Sequence, residues 1–508
     1  MMEEKSIIII GGGIAGLAAG CYARMNGYRA HIFELHTLPG GLCTSWDRKG
    51  YTFDGCIDWL VGSGEKSNFR RIWNELGALD GKKIVNHEEF MRVVGTDGKT
   101  LILYTDPDRT EKNMLGLAPQ DAATIKEFTG GIRKMVHLNM PTGKPTSFSE
   151  MVQFLIGLPG FLTFLGQLRK YGRVTMQDFA KRFRDPFLRE AFENLYGLPD
   201  FPMIGAQMSL AWMGAHDAGY PIGGSLKFAQ SIEKRFYSLG GEITYKARVA
   251  KILVEHGRAV GVRLANGREE RADIVISAAD GHATLFDLLE GKYLTDEIRS
   301  YYDTLPIFQP IIQVSLGVAR DFSDQPRMVH YYLDNPITIA GEERRNITVK
   351  HYSYDPTLAP AGKSVIEVIY SSNHGYWKKL AEDPERYEAE KKDIAIQVMQ
   401  QIEKHYAGFT GQVEAVDVAT PLTYERYTGN WQGSMEGWLM TTKTLDWMIK
   451  GKQMSKTLPG LENFYQIGQW VEPGGGLPPA ATSGRGVLQM ICKKDGKAFK
   501  TMPSPTAK

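Results

Sequence analysis

Apolar positions near the start of the chain predict a strand–helix–strand unit. Residues 6–10 (SIIII) are apolar on both faces, as in a buried parallel strand. Helical spacing follows at Ile14, Leu17, Ala18, Cys21 and Met25. Asn26-Gly27 then provides a left-handed helix end, and residues 30–33 form a second apolar run. This order indicates an α/β unit with a parallel sheet.

The middle of the chain has different patterns. Residues 109–219 are rich in helix-like, aromatic and apolar sequence. From 286 to 454, β-like runs at 311–315 and 365–370 precede a helical pattern around Ile394, Val398 and Ile402. We expect these two stretches to form a second domain with an antiparallel or mixed sheet and a helical cover.

A glycine motif joins the first strand to the first helix. The motif is Gly11-x-Gly13-x-x-Gly16, in which the glycines permit a tight turn, close approach of a pyrophosphate and close helix packing. The free N–H groups of the helix then face the phosphates. Glu34 follows Gly16 by 18 residues, where a carboxylate can accept hydrogen bonds from a ribose diol. A dinucleotide site is therefore predicted here.

Composition excludes some classes of function. Lys and Arg number 60 against 58 Asp and Glu, so the chain lacks the basic excess of a nucleic-acid-binding protein. The four cysteines are widely spaced and fit a reducing, cytoplasmic environment. Histidines show no metal-ligand spacing, so no metal site is expected. Glycine reaches 55 of 508 residues, above the roughly 7% that is typical.

A second glycine motif identifies the dinucleotide. Residues 39–42 (PGGL) and 51–55 (YTFDG) resemble the second motif of the flavoprotein superfamily that contains amine oxidases, carotenoid desaturases and isomerases, and retinol saturases. The resemblance implies FAD, with backbone amides of Gly40 and Gly41 near its phosphates. The family usually has Arg after the doublet, whereas this chain has Leu42.

Two further blocks resemble the carotenoid desaturase, isomerase and retinol saturase branch. Residues 220–279 look like the segment that returns to the nucleotide domain, in which Val249 would touch adenine. Residues 464–486 resemble the C-terminal block that places a helix N-terminus against the flavin pyrimidine ring. The FAD-binding residues implied are Gly11, Gly13, Ile14, Ala15, Gly16, Glu34, Gly40, Gly41, Leu42, Val249, Ala278, Gly468, Gly476 and Leu477.

The expected fold class is α/β: an FAD-binding, Rossmann-like domain of the amine oxidase/GDI type with an inserted α+β substrate domain. Residues 1–108, 220–285 and 455–492 are assigned to the discontinuous FAD-binding domain. Residues 109–219 and 286–454 are assigned to the substrate-binding domain, and 493–508 to a basic tail.

The resemblance implies an FAD-dependent oxidoreductase that makes, removes or isomerises carbon–carbon double bonds in a long apolar substrate of carotenoid or retinoid type. A flavin amine oxidase and a non-catalytic, GDI-like prenyl-binding protein are the alternatives. The electron acceptor or donor stays open. Catalytic candidates are Glu472 beside the flavin, His216 on the substrate side and Asp58 after the second glycine motif. A structural role is the competing interpretation for all three.

Two segments suggest contact with a membrane surface. Residues 151–173 are apolar but broken by Gly157, Pro159 and Gly160, and basic residues follow. The segment is too short to span a bilayer, so it either enters one leaflet or forms a buried helix pair under the substrate tunnel. The lysines of the tail either add attraction to anionic lipid or lie in a frayed, solvated end. We expect a cytoplasmic protein, with membrane association left open.

Overall fold

The fold was examined in a computed structural model, which describes residues 4–138, 148–198, 200–449 and 454–505. The strands are β1 Ser6–Ile10, β2 Arg29–Phe33, β3 Ser45–Arg48, β4 Tyr51–Asp54, β5 Leu60–Val61, β6 Ile84–Val85, β7 Glu89–Val94, β8 Thr100–Tyr104, β9 Ala218–Pro221, β10 Glu242–Thr244, β11 Val249–Glu255, β12 Arg258–Leu264, β13 Glu269–Arg271, β14 Ile274–Ser277, β15 Ile311–Val318, β16 Met328–Ile339, β17 Glu342–His351, β18 Ser364–Ser371, β19 Val413–Ala419 and β20 Phe464–Gln466.

The helices follow the same chain order. They are α1 Ile14–Met25, α2 Asn68–Glu75, α3 Pro107–Leu117, α4 Ala122–Met135, α5 Phe148–Tyr171, α6 Met176–Ala180, α7 Pro186–Glu193, α8 Met203–Gly214, α9 Gly224–Ser238, α10 Asp296–Thr304, α11 His374–Leu380, α12 Pro384–Glu403, α13 Pro421–Thr428, α14 Thr442–Ile449 and α15 Leu477–Lys494.

A parallel five-stranded sheet carries the nucleotide motifs. Its order is β10-β2-β1-β14-β20, so strands from the beginning, middle and end of the chain meet in one sheet. β1 lies at the centre, and Ile7 to Ile10 are buried because both sheet faces are covered. Helices α1, α9 and α15 pack beside one another, and Gly484 of α15 lies against the backbone of α1. A three-stranded antiparallel meander, β11-β12-β13, is attached to this layer.

A mixed seven-stranded sheet forms the second layer. Its order is β19-β15-β18-β17-β16-β7-β8, with antiparallel pairs except for β16 and β7. Helix α12 covers one face and buries Ile394, Val398 and Ile402 against it. Helices α3 to α8 form an apolar cluster on β7 and β8. The mixed sheet and helical cover match the arrangement expected for the substrate half.

One feature departs from the expected boundaries. Strands β7 and β8 lie within the stretch 1–108 assigned to the FAD-binding domain, yet β7 pairs with β16 of the seven-stranded sheet. Sequence patterning gives strands but not their partners, since partners come from distant segments. The proposed domain boundaries therefore stay a prediction, and residues 89–104 are better grouped with the substrate half.

The basic tail packs on the protein as far as residue 505. Arg235 donates to the carbonyl oxygens of Met502 and Pro503 at 3.2 and 3.1 Å, and the N–H of Lys500 donates to Asn26 at 2.7 Å. The Phe499 ring lies 5.9 Å from Tyr22 of α1. Of the two alternatives for the tail, a frayed end is wrong for residues 493–505, because these long-range contacts hold the backbone. The four lysines in this range are exposed to solvent, and attraction to anionic lipid stays a prediction.

Candidate functional site

The first glycine motif forms the turn between β1 and α1. Gly11 has φ +97°, and a β-carbon on Gly16 would lie 2.0 Å from the carbonyl oxygen of Gly11. Only glycine fits either position, the first because of its dihedral angle and the second because of contact with backbone. Helix α1 begins at Ile14, and its first turn holds no acidic residue. Its free N–H groups are therefore available to an anion.

The second glycine motif lies against the first. The N–H of Gly40 donates to the carbonyl oxygen of Gly12 at 2.9 Å, and Gly13 and Gly40 form an isolated parallel bridge. Gly40 and Gly41 have φ +108° and +61°. The buried carboxylate of Asp54 then accepts N–H groups from Ile57 at 3.2 Å and from Ser225 of α9 at 2.6 Å. The two motifs and α9 thus form one rigid wall.

Glu34 ends β2 next to the glycine turn. Its carboxylate accepts the N–H of Gly12 at 2.6 Å and the N–H of His36 at 2.7 Å. Burial raises the pKa of Glu34, and the backbone donors of His36 and Gly12 act in the opposite direction. The carboxylate is therefore fixed in position, with remaining acceptor capacity for the hydroxyls of a ribose.

One cavity of about 460 Å³ unites the predicted cofactor residues. Thirteen of the fourteen line it, and the exception is Gly16, which lies at the α1–turn contact instead. Val249 and Ala278 lie on its β11 and β14 sides, and Gly476 and Leu477 at the start of α15. A glycine-lined wall with an oriented carboxylate fits a dinucleotide such as FAD. Their contacts with FAD stay a prediction.

Three cavity residues were missed by sequence reasoning. Asp280 follows Ala278 by two residues, so its proximity to the motif was a signal that could have identified it. Cys56 follows the second glycine motif directly and is exposed toward the cavity. Glu436 reaches the cavity from a loop of the other half of the chain, and no local pattern marks it.

The three catalytic candidates do not meet in this cavity. Glu472 forms an ion pair with Lys456, which also donates to Ser483. His216 is exposed, has φ +56°, and lies with Asp217 at a separate cavity beside Ser63 and Arg70. None of the three candidates is among the residues that line the 460 Å³ cavity. Their catalytic roles stay predictions.

Asp58 belongs to a buried charge network under the seven-stranded sheet. Lys350 donates to Asp58 at 2.7 Å and lies 3.3 Å from Glu367, while Arg327 lies 3.8 Å from Asp58. Burial acts to raise the pKa of Asp58, but the charges of Lys350 and Arg327 outweigh it and lower the pKa. Burial raises the pKa of Glu367 to about 7 despite Lys350. The buried charges of the network are thus stabilised by neighbouring charges of opposite sign.

Metal sites and membrane spans are absent from the described parts of the chain. Within them no cluster of three or more His, Cys, Asp or Glu side chains is arranged to hold a metal ion. Within the same residues, no helix is both long and apolar enough to cross a bilayer.

Solved structures that share this fold include putrescine oxidase and cyclohexylamine oxidase. A putrescine oxidase triple mutant superposes with a TM-score of 0.61 at 14% identity, covering 97% of this chain and 99% of that chain. Cyclohexylamine oxidase from Brevibacterium oxydans IH-35A gives 0.58 at 13% identity, covering 97% and 100%. These likenesses confirm the predicted fold class.

Curated relatives extend over almost the whole chain. Prolycopene isomerase from Arabidopsis thaliana is 26% identical over 497 residues, covering 94% of this chain and 81% of the relative. A 4,4'-diapolycopene oxygenase from Methylomonas is 26% identical, with 96% and 98% covered. A neurosporene-forming phytoene desaturase from Rhodobacter capsulatus is 25% identical, with 95% and 93% covered. The family model described as flavin containing amine oxidoreductase matches residues 14–487, so the chain belongs to that family and is an FAD-dependent oxidoreductase.

Proposed function

We propose that this oxidoreductase acts on carbon–carbon double bonds of a long apolar polyene of carotenoid type, by desaturation, saturation or cis–trans isomerisation. The observation that carries the proposal is the extent of the likeness to carotenoid enzymes. The isomerase, oxygenase and desaturase relatives each match 94% or more of this chain, through both the nucleotide half and the substrate half. The amine oxidases among the solved structures support the fold alone, at 14% identity or less.

The chain would bind the cofactor through the walls described above. Backbone N–H groups at the start of α1 and in the second glycine motif would face the pyrophosphate, and Glu34 would accept the ribose hydroxyls. Val249 would pack on adenine, and Leu477 at the start of α15 would lie toward the flavin. Bound FAD supplies a centre that accepts or donates a hydride. The protein then aligns a substrate carbon and excludes water.

The test is an anaerobic comparison of substrates with the FAD-loaded protein. Prolycopene, phytoene, retinol and an unsaturated fatty acid would be added separately, with the flavin oxidised or already reduced. Flavin absorbance and the double-bond count of the product would be measured. Desaturation bleaches oxidised flavin and adds a double bond, saturation reoxidises reduced flavin, and isomerisation changes the isomer without net bleaching. Rapid bleaching by amines, with every polyene inert, would overturn the proposal in favour of an amine oxidase.

We propose further that substrate reaches the protein from a membrane surface through α5. Leu155, Leu162 and Leu165 are exposed by 57%, 59% and 42%, and their spacing places them on one face of the helix. Exposed Arg169 follows in the last turn. The side chains of residues 151–154 and 156, which belong to the same predicted segment, lie outside the described residues. An apolar stripe beside basic charge is typical of insertion into one leaflet.

Vesicle sedimentation tests this contact. Leu162→Glu should reduce binding to anionic phospholipid vesicles severalfold. Met490→Glu, at an exposed apolar position on α15, is the matched control and should bind like the wild type. Equal binding of all three proteins would refute the membrane role of α5. A cytoplasmic location is proposed with it, supported by the four free cysteines.

A further inference from the structure

Glu436 enters the cofactor cavity from the loop before α14. Its side chain lies on the glycine turn that precedes α15, where a β-carbon on Gly475 would lie 2.3 Å from its Oε2 atom. Gly474, Gly475 and Gly476 all have positive φ, of +109°, +65° and +89°. The glycine turn is therefore shaped to leave room for this carboxyl. Glu436 shares the cavity wall with Cys56 and Leu477.

Nothing in the described part of the chain neutralises this carboxyl. Within the described residues Glu436 accepts no hydrogen bond and forms no ion pair, and burial is the sole influence on its pKa, which it raises to about 7. Two other carboxylates of the cavity are held differently. Glu34 accepts two backbone N–H groups, and Asp280 accepts those of Ala283 and Trp431 at 2.8 and 2.9 Å. Asp287, the remaining carboxylate of the cavity wall, is exposed to solvent. Glu436 is thus the cavity carboxyl that is neither exposed to solvent nor held by hydrogen-bond donors.

The start of α15 offers few donors to negative charge. Leu477 is followed by Pro478 and Pro479, and proline has no N–H. Two of the first three helical positions therefore donate nothing, although the positive end of the helix dipole still points into the cavity. A neutral carboxylic acid supplies one O–H donor. Glu436 lies beside this helix start and can provide the donor that the prolines remove.

We propose that Glu436 is the acid–base residue of the cofactor cavity, which binds a proton when reduction adds negative charge to the bound cofactor and releases it to solvent on reoxidation. The inference deepens the proposed function, but it rests on FAD binding rather than on the identity of the substrate. With FAD bound and reduced by two electrons, the Glu436 carboxylate would bind one proton from water in addition to any proton that the cofactor binds. On reoxidation the same proton is returned to water.

Other titratable or charged groups also line the cavity. They are Glu34, Cys43, Cys56, Arg248, Asp280 and Asp287. Burial raises the pKa of Asp280 to about 7, with the N–H donors of Trp431 and Ala283 acting against it. Asp280 is the strongest competitor, so it needs its own variant.

The decisive measurement is the midpoint potential of the bound flavin as a function of pH, without substrate. Near pH 8, where a carboxyl with a pKa of about 7 is mostly ionised before reduction, wild-type protein should take up close to one more proton per two electrons than Glu436→Gln, because glutamine cannot bind it. Asp280→Asn and the surface control Glu343→Gln should keep the wild-type proton count. A wild-type count in Glu436→Gln, or loss of the proton in Asp280→Asn instead, would overturn the assignment.

A second measurement protects the test if Glu436→Gln does not retain FAD. An infrared difference spectrum between reduced and oxidised wild-type protein should show the carbonyl band of a carboxylic acid appearing on reduction. Labelling of glutamate with carbon-13 should shift that band, whereas aspartate labelling should not. An aspartate-sensitive band, or no carboxylic acid band at all, would contradict the proposal.

The two proposals fail separately. If every polyene is inert but the proton count still depends on Glu436, the substrate assignment is wrong and the acid–base assignment stands. If polyenes react and Glu436→Gln keeps the wild-type proton count, the substrate assignment stands and the acid–base assignment is wrong. Glu472→Gln, tested beside Glu436→Gln for polyene turnover, decides which carboxylate the reaction needs.

Discussion

The acids of the cofactor cavity and those of the charge network under the seven-stranded sheet differ in whether a cation lies beside them. In the network, Lys350 contacts both Asp58 and Glu367, so each buried negative charge has a cation nearby. In the cavity, Glu436 has no such partner among the described residues. A paired charge is expensive to remove, whereas an unpaired carboxyl responds to any new charge beside it. The paired acids Asp58 and Glu367 therefore fit a structural role, whereas the unpaired Glu436 fits the proposed acid–base role.

Removing the shared cation should give the largest effect. Lys350→Met leaves Glu367 buried without its cation and Asp58 with Arg327 at 3.8 Å, which should lower the free energy of unfolding by about 3–5 kcal/mol. Urea unfolding at fixed FAD concentration measures the change. Lys363→Met breaks the more exposed pair with Glu414 and should cost less than about 1 kcal/mol. Equal losses in the two variants would show that the network is not held by pairing.

The next effect comes from displacing the cavity wall. Gly16→Ala places a β-carbon 2.0 Å from the carbonyl oxygen of Gly11, so α1 must move away from the glycine turn. We expect FAD affinity to fall about 100-fold, or about 3 kcal/mol. Titration of the apoprotein with FAD measures it. Gly116→Ala in α3 meets no atom within 4 Å and should bind FAD normally. Tight FAD binding by Gly16→Ala would contradict the packing argument.

The unpaired acid should make stability depend on pH. Because burial raises the pKa of Glu436 from its usual value near 4.5 to about 7, the native state holds this proton more tightly than the unfolded state. Its contribution is complete below pH 4.5 and is lost as pH rises through 7. Without FAD, Glu436→Gln should therefore be more stable than wild type at pH 8 by about 3 kcal/mol, and equal at pH 4.5 or below.

Urea unfolding of the apoproteins at pH 4.5 and pH 8 checks this expectation. Glu343→Gln, at an exposed ion pair with Arg345, controls for loss of a carboxylate and should change little at either pH. If the free energy of unfolding of Glu436→Gln depends on pH as that of the wild type does, the native wild-type protein does not hold an additional proton on Glu436.

The smallest effect concerns the cavity acid that is held by backbone donors. The N–H groups of Gly12 and His36 donate to different oxygens of the Glu34 carboxylate, so Glu34→Gln keeps an acceptor for one of them, turns an amide NH2 toward the other and loses the charge. We expect FAD affinity to fall by about 1 kcal/mol, roughly fivefold. Competition with ADP-ribose should show the same loss, whereas riboflavin should not, because Glu34 is proposed to accept the ribose hydroxyls of the ADP moiety. A loss for riboflavin alone would place Glu34 at the wrong end of the cavity.

The sequence predicted the ADP side of the cavity better than the reaction side. Gly11, Gly16, Gly40 and Glu34 are separated by short stretches of chain, so their spacing alone places them around one turn. Glu472 was selected by its place in the C-terminal block, but its pairing with Lys456 depends on a residue 16 positions away. Glu436 was missed because its role depends on contact with Gly475, across α14 and β20.

The sequence by itself determined that the chain builds a parallel sheet with a dinucleotide-binding turn, since strand pattern, glycine spacing and the acid after β2 are local properties of the polypeptide. Tertiary structure decided which strands joined the second sheet, where the tail packed, and which buried carboxyls acquired a cation. Those outcomes depend on long-range contacts such as Lys350 with Asp58 and Glu436 with Gly475. The sequence shows which side chains can carry charge, whereas the groups that stabilise or neutralise that charge are brought beside them by folding.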